Sequence, residues 1–260
     1  MSCSPDDRTT PLKPLKWYKK LATEKGRLEA GAFLVEGDKA TRQIINSRPT
    51  EIREIITAKE LPDIYRSYPI RFVSDSQLHS ICSTRTPQGP IAVVSLPLDT
   101  YSAELPESMG TRVLLLEDIQ DPGNAGTLIR TAAAFSYSGV ILSDKTADPF
   151  SPKCVQSTSG TVLGLWIRRT ARYIELVSAL RSRGFSLVSA DLAGSEDSSV
   201  LGVSALLLAL GNEASGLSKL ILDTSDHRFK IAVARKEAES LNVAACGAIC
   251  MYLSSLTRGK

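Results

Sequence analysis

The chain has 260 residues, 43% of them hydrophobic and 23% charged, with a net charge of +3, the balance of an ordinary globular protein with one large or two modest domains. No apolar run is long enough to span a bilayer, and the opening MSCSPDDRTTPLKP lacks the apolar stretch of a secretory signal, so a cytoplasmic protein off the membrane is expected. Five cysteines, an odd count without a CxxC pair, fit reduced thiols better than a disulfide framework or a zinc site, and only two histidines argue against a histidine-rich metal centre.

The charge is unevenly placed. Residues 1–98 hold 15 Lys and Arg against 11 Asp and Glu, a balance of +4; the remainder holds 16 against 17, a balance of −1. Lys13, Lys16, Lys19, Lys20, Lys25 and Arg27 cluster near the start. A basic first half suggests a polyanionic partner, most simply nucleic acid. A solvated helix face is the plainer alternative.

In chain order, residues 1–14 read as a disordered tail. Leu15 to Lys25 reads as a short basic helix carrying Trp17, Tyr18 and Leu21. Ala32–Val35 is a strand, and Asp38 caps a helix to about Ser47. Ile52–Thr57 alternates and is β-branched, a second strand. A helix around Leu61–Arg66, a strand at Ile70–Val73, a helix over Ser76–Cys82 and a strand at Ile91–Leu96 complete a small α/β unit over residues 15–98. Residues 99–110 read as a linker.

The second domain is expected over residues 111–260. The apolar run Val113–Leu116 suits a parallel strand buried on both faces. A polar loop follows, then a helix over Asn124–Phe135 with Asn124 standing as its N-cap. Further strands are expected at Gly139–Leu142, Leu187–Ala190, Ala205–Leu210 and Phe229–Val233. Helices are expected at Tyr173–Arg183, Leu217–Leu220 and Ser240–Leu256, with a turn at Ser151–Ser159. Such alternation means a doubly wound parallel sheet, whose ligands sit beyond the strands' carboxyl ends.

The chemistry of that edge is not dinucleotide binding. The first strand is followed by Asp121-Pro-Gly-Asn-Ala-Gly, which does not match GxGxxG, so a dehydrogenase is disfavoured. Glycine and asparagine come late instead, in Gly211-Asn212-Glu213-Ala214-Ser215-Gly216 and in Glu239-Ser240-Leu241-Asn242-Val243-Ala244. Backbone N–H groups in such segments suit a ligand's polar edges.

Three segments resemble the motifs of the SpoU/TrmH-type RNA 2′-O-ribose methyltransferases of the SPOUT class. They are Asn124-x-Gly126-x-x-x-Arg130-Thr131-Ala132, Gly211-Asn212-Glu213-x-x-Gly216-Leu217-Ser218 and Glu239-Ser240-Leu241-Asn242-Val243. The first domain is similar to the L30e-like substrate-binding domain such enzymes carry, with Phe33-Leu34-Val35-Glu36-Gly37 as its opening strand. The resemblance implies an α/β fold in which a small L30e-like domain precedes a SPOUT-type parallel sheet with a deep trefoil knot. It implies a homodimer, and S-adenosylmethionine (AdoMet) held by Leu210, Gly211, Asn212, Gly216, Ile231, Val233, Ser240, Leu241 and Asn242.

The catalytic set it implies is Asn124, Arg130, Glu213, Ser240 and Asn242. A ribose hydroxyl is a poor nucleophile, so the protein must align the reactants and stabilise the developing alkoxide. Arg130 either binds phosphate and the nascent oxyanion together or serves as general base, a role made demanding by how firmly a guanidinium holds its proton. The plainer readings are capping for Asn124 and Ser240 and a surface acid for Glu213. Ribosomal RNA is the expected substrate, with Lys13, Lys16, Lys19, Lys20, Lys25, Arg27 and Lys153 as its contacts and no metal. Transfer RNA, or RNA binding without catalysis, are the alternatives. Two departures from the family pattern stand out: Gln156 where an arginine is frequent, and Ile231-Ala232-Val233 where a Pro-Met pair is usual.

Overall fold

The computed structural model describes residues 13–83, 89–233 and 241–256. They form two compact units: the chain up to Pro97 together with Phe150–Leu163, and Leu98–Pro149 together with the chain from Gly164 onward.

In the first unit, two helices, α1 (Leu15–Lys20) and α2 (Glu24–Ala30), replace the single helix expected to Lys25. The break has a local cause: the Thr23 hydroxyl accepts the Gly26 N–H at 3.1 Å and caps a new helix. Then follow β1 (Ala32–Glu36), α3 (Asp38–Ser47), β2 (Ile52–Thr57), β3 (Ile70–Phe72), α4 (Asp75–Ile81) and β4 (Ile91–Ser95). The strands lie in the order β1-β4-β2-β3, with β4 antiparallel to β1 and β2, and β3 parallel to β2. The helix expected at Leu61–Arg66 is only a 3₁₀ turn, Asp63–Tyr65, with Tyr65 its one buried residue. That segment has too little apolar surface to hold a longer helix down. One face of the sheet packs Ile56, Ile91 and Val93 against Tyr18, Leu21, Leu78 and Ile81.

The second unit opens with β5 (Arg112–Leu116), α5 (Pro122–Ala134) and β6 (Gly139–Leu142). The chain then makes α6 (Pro152–Thr158), a helix where a turn was expected. This segment packs with the first unit, so the domain expected over 111–260 is interrupted in space. Phe150 packs at a tilt against Phe33 at 4.8 Å between centroids, and Cys154 and Val155 are buried. The second unit resumes with β7 (Trp166–Arg169), α7 (Tyr173–Ser182), β8 (Ser186–Ser195), β9 (Leu206–Leu210), α8 (Lys219–Thr224), β10 (His227–Phe229) and α9 (Val243–Leu256). Strand β7 escaped the pattern because Arg168 disguises it. That side chain is buried by donating to Asp99 at 2.8 Å and to the Glu104 carbonyl at 2.7 Å.

The second sheet runs β10-β8-β9-β5-β6-β7, and every pairing in it is parallel. Strand β5 lies between β9 and β6, and all five of its residues are buried. Val113 and Leu115 face the core shared with α7 and α8, while Leu114 and Leu116 serve the opposite face. The knot expected from the resemblance depends on the path of residues 234–240, which lie outside the described residues.

Leu114→Ala removes a fully buried side chain from a strand covered on both faces. It is expected to cost about 2–5 kcal/mol in denaturant unfolding. Leu220→Ala, at a side chain half exposed on α8, is expected to change stability by less than about 0.5 kcal/mol.

Candidate active site

The strand order locates the site. From β5 the chain passes through α5 to β6 on one side; from β9 it passes through α8 to β10 on the other. Adjacent parallel strands whose connections diverge leave a crevice beyond their carboxyl ends. Leu116 and Leu210 are register partners, so both loops leave the sheet at one level.

The helix cap decides what Asn124 does. Helix α5 starts at Pro122, not at Asn124, and its N-cap is Asp121, whose carboxylate accepts the Asn124 N–H at 2.9 Å. Proline at the first helical position is compatible because that N–H would be unpaired. Asn124 therefore sits inside the first turn with its amide free to face outward. Its Nδ2 donates to Glu213 Oε1 at 2.8 Å, and its Oδ1 accepts Asn242 Nδ2 at 3.2 Å. One asparagine thus joins the three segments singled out in the sequence. Arg130 is on the same helix and exposed; six residues at a rise of about 1.5 Å place it about 9 Å further along the axis.

Asn242 has a second task. Its Oδ1 accepts the N–H groups of Ala244 and Ala245 at 2.9 and 3.3 Å, capping α9. The helix accordingly begins at Val243 and not at Ser240, which lies outside the described residues. Asn212 folds the other loop: its Oδ1 accepts the N–H groups of Ala214 and Ser215, and the Gly216 N–H donates to its carbonyl at 2.9 Å. Glycine is required at both ends of this turn. Gly216 has φ +70°, and a Cβ on Gly211 would lie 2.3 Å from the Gly216 carbonyl carbon.

Beside these loops is a cavity of about 510 Å³, a size suited to a small-molecule ligand. Of the expected cofactor residues, Leu210, Gly211, Asn212, Gly216, Ile231, Val233 and Leu241 line it; Glu213 lines it as well. Asn242 is next to it in the chain, between the lining residues Leu241 and Val243. Asp191 and Leu192 also line the cavity and were missed. The pairing of β8 with β9 ends at Ser189, and the crevice rule applied at that point, rather than at the strand's end at Ser195, is the signal that finds them. The lining offers apolar faces (Leu217, Leu222, Val243), tight glycine backbone and charged groups (Asp191, Lys230), which suits a nucleoside with a charged tail.

Residues 111–252 match the SpoU rRNA methylase family, and residues 13–92 match the MRM3-like substrate binding domain. The chain belongs to the SpoU rRNA methylase family. It is 31% identical to the 23S rRNA (guanosine(2553)-2′-O)-methyltransferase RlmP of Bacillus subtilis, over 92% of this chain and 94% of that one. It is 27% identical to the 23S rRNA (uridine(2479)-2′-O)-methyltransferase of Streptomyces viridochromogenes, over 91% and 87%. Among solved structures it is similar to the SpoU methyltransferase AviRb from that organism in complex with AdoMet, with TM-score 0.79, 25% identity and coverage of 95% and 98%. The AdoMet-bound rRNA methyltransferase from Sinorhizobium meliloti gives TM-score 0.80 at 26% identity, covering 95% of both chains.

Within this SpoU-family chain the expected RNA contacts are unequal. Lys13, Lys16, Lys19, Lys20, Lys25 and Lys153 are exposed. Arg27 is not: it is 2% exposed, and its Nη1 donates to the Leu21 carbonyl at 2.9 Å. It is therefore corrected from RNA contact to a structural arginine that ties α2 to the end of α1. Gln156 is exposed on α6.

The described cysteines are free thiols in different states. Cys246 lines the cavity in the first turn of α9. A hydrogen bond from Cys250 holds the Cys246 thiol below its ordinary range, despite burial. The same bond, with burial, drives Cys250 up. Cys82 is pushed up to about 12 by burial and the Glu36 charge. Only a thiolate reacts readily with maleimides. Alkylation at neutral pH, read at the peptide level, should therefore reach Cys246 well before Cys82. Faster labelling of Cys82 would contradict this ordering of the two thiols.

Proposed function

We propose that this chain is an AdoMet-dependent RNA 2′-O-ribose methyltransferase acting on ribosomal RNA, with Asn124, Arg130, Glu213, Ser240 and Asn242 as its reacting centre. The observation that carries the reading is the bond chain Glu213–Asn124–Asn242 beside the glycine-built cavity. The two 23S rRNA 2′-O-methyltransferases among its relatives support the substrate class.

Leu210, Gly211, Asn212, Gly216, Ile231, Val233 and Leu241 would hold AdoMet, together with Ser240 and Asn242. Bound AdoMet supplies a methyl group already activated on a sulfonium sulfur. The protein's task is then positioning and charge. An asparagine amide has two donor hydrogens and an oxygen with two lone pairs. Glu213 takes one hydrogen of Asn124 and Asn242 takes one lone pair, which fixes the orientation of the amide and leaves one of each to meet the ribose. Arg130 binds the RNA phosphate and stabilises the oxyanion through its planar fork. The lysines of the first unit supply the long-range attraction to RNA. Free thiols fit a reducing, cytoplasmic setting.

A homodimer completes the reading. Ile249, Tyr252 and Leu256 are exposed along one stripe of α9, and Tyr252 packs against Phe135 at 6.1 Å. Large apolar side chains in a row favour a partner surface. Sedimentation should give a dimer at micromolar concentration, and Tyr252→Glu with Ile249→Glu should give a monomer; a monomeric parent protein would refute this.

For the chemistry, calorimetry should detect binding of AdoMet or its demethylated product and none of NAD. Arg130→Ala should abolish methyl transfer with the fold intact, because Arg130 is exposed while its helix keeps its buried face. Arg130→Lys should remain at least tenfold impaired, since an ammonium lacks the fork. Tight NAD binding would overturn the cofactor; near-normal Arg130→Lys turnover would reduce the role of Arg130 to a point charge.

A further inference from the structure

Two consecutive residues grip the loop that frames the cavity. Glu117 follows β5 directly and is 3% exposed, although it carries a carboxylate. Its N–H donates to the Leu210 carbonyl at 2.9 Å, where the loop leaves β9. The carbonyl of Asp118 accepts Asn212 Nδ2 at 2.8 Å, at the second residue of the loop. At the far end, Glu117 Oε2 accepts the Ser218 N–H at 2.6 Å, and Oε1 accepts the Ser218 hydroxyl at 2.7 Å and the Tyr173 hydroxyl at 2.5 Å. Residues 211–217 are thus fastened at both ends to residues 117 and 118.

We propose that Glu117 is a positioning residue for the methyl-transfer site: acting through Ser218, its carboxylate fixes the Gly211–Leu217 loop that frames the cofactor cavity and carries Glu213 to Asn124. The inference rests on the reading of that cavity as the AdoMet site. An ionised carboxylate only accepts, and its three partners here all donate. Burial and the Glu117 hydrogen bond drive the Tyr173 hydroxyl far above its ordinary range, so it stays a donor. Asp118 itself has φ +57°, a conformation asparagine and aspartate tolerate better than other side chains. Its N–H is held by the Ser143 hydroxyl at 2.8 Å, and that hydroxyl donates to its carboxylate at 2.6 Å. A rigid base therefore lies under the clasp.

Glutamine separates shape from chemistry. Glu117→Gln keeps the volume but removes the charge that strengthens all three bonds, and it puts a donor where the Ser218 and Tyr173 hydroxyls now donate, so both would have to turn and accept. A residue that merely fills space would tolerate the change. The experiment is calorimetry with S-adenosylhomocysteine, beside binding of an rRNA fragment, for the parent protein, Glu117→Gln, Ser218→Ala and the double variant. Glu117→Gln should weaken the nucleoside ligand tenfold or more and leave RNA affinity within twofold. Ser218→Ala, which keeps the backbone N–H bond, should weaken it about threefold or more. The double variant should match Glu117→Gln within twofold, because coupled residues do not add. Nucleoside affinity within twofold of the parent in Glu117→Gln overturns the proposal, as do effects that multiply in the double variant. If Glu117→Gln does not fold, Ser218→Ala decides alone, and unchanged affinity there overturns the proposal. A parent protein that fails to bind the nucleoside overturns the cofactor reading, and this inference with it.

Discussion

Asn124 can face Glu213 and Asn242 only because another residue caps its helix. Asp121 takes the Asn124 N–H, Pro122 starts α5, and the Asn124 amide is released from the local task that asparagine so often performs at a helix start. The rest of the site depends on that release. An amide that meets a carboxylate on one side and another amide's N–H on the other has one orientation, and both of its neighbours are then placed. Asn242 in turn uses its oxygen to cap α9, so the start of the last helix and the Glu213–Asn124–Asn242 chain share one side chain.

The sheet supplies the constraint beneath this. All-parallel pairing with β5 and β9 side by side sends two loops out at one edge, and the Leu116–Leu210 register keeps them level. Glycine at 211 and 216 lets the second loop cross itself closely, which turns backbone into the wall of a cavity. The apolar strands are therefore the means by which hydrogen-bonding groups far apart in the chain arrive within 3.2 Å or less of one another. Site geometry and core packing are one problem here, which makes the buried Glu117 informative: a charge is kept in the interior, fully satisfied by donors, at the point where the loop is anchored.

Much of this was legible in the residues. The run Val113–Leu116 announced a doubly buried strand, and the three polar segments announced the edge where the cavity and the Glu213–Asn124–Asn242 chain lie. What stayed hidden has physical causes. Strand β7 carries Arg168, whose charge reads as surface but is buried against Asp99 and a carbonyl. The helix Pro152–Thr158 is short, and its packing with the first unit rests on Phe33 and Phe150, residues more than a hundred positions apart. Arg27 looked like part of a basic face because its neighbours in sequence are lysines; only the fold reveals that it turns inward. The cap at Asp121 is hidden in the sequence because Asn124 is an equally good capping residue and Pro122 between them reads as loop.

The central claim is methyl transfer to a ribose hydroxyl, and its product has a chemical signature. A methylated 2′-oxygen cannot attack the neighbouring phosphodiester, so alkali leaves that linkage uncut. The protein should be incubated with methyl-labelled AdoMet and unmodified ribosomal RNA, and the RNA then hydrolysed with alkali. The account predicts label in alkali-resistant dinucleotides, and none when Arg130→Ala replaces the parent protein. Label recovered in mononucleotides would place the methyl group on a base, and no incorporation into any ribosomal RNA would remove the activity altogether; either result contradicts the account.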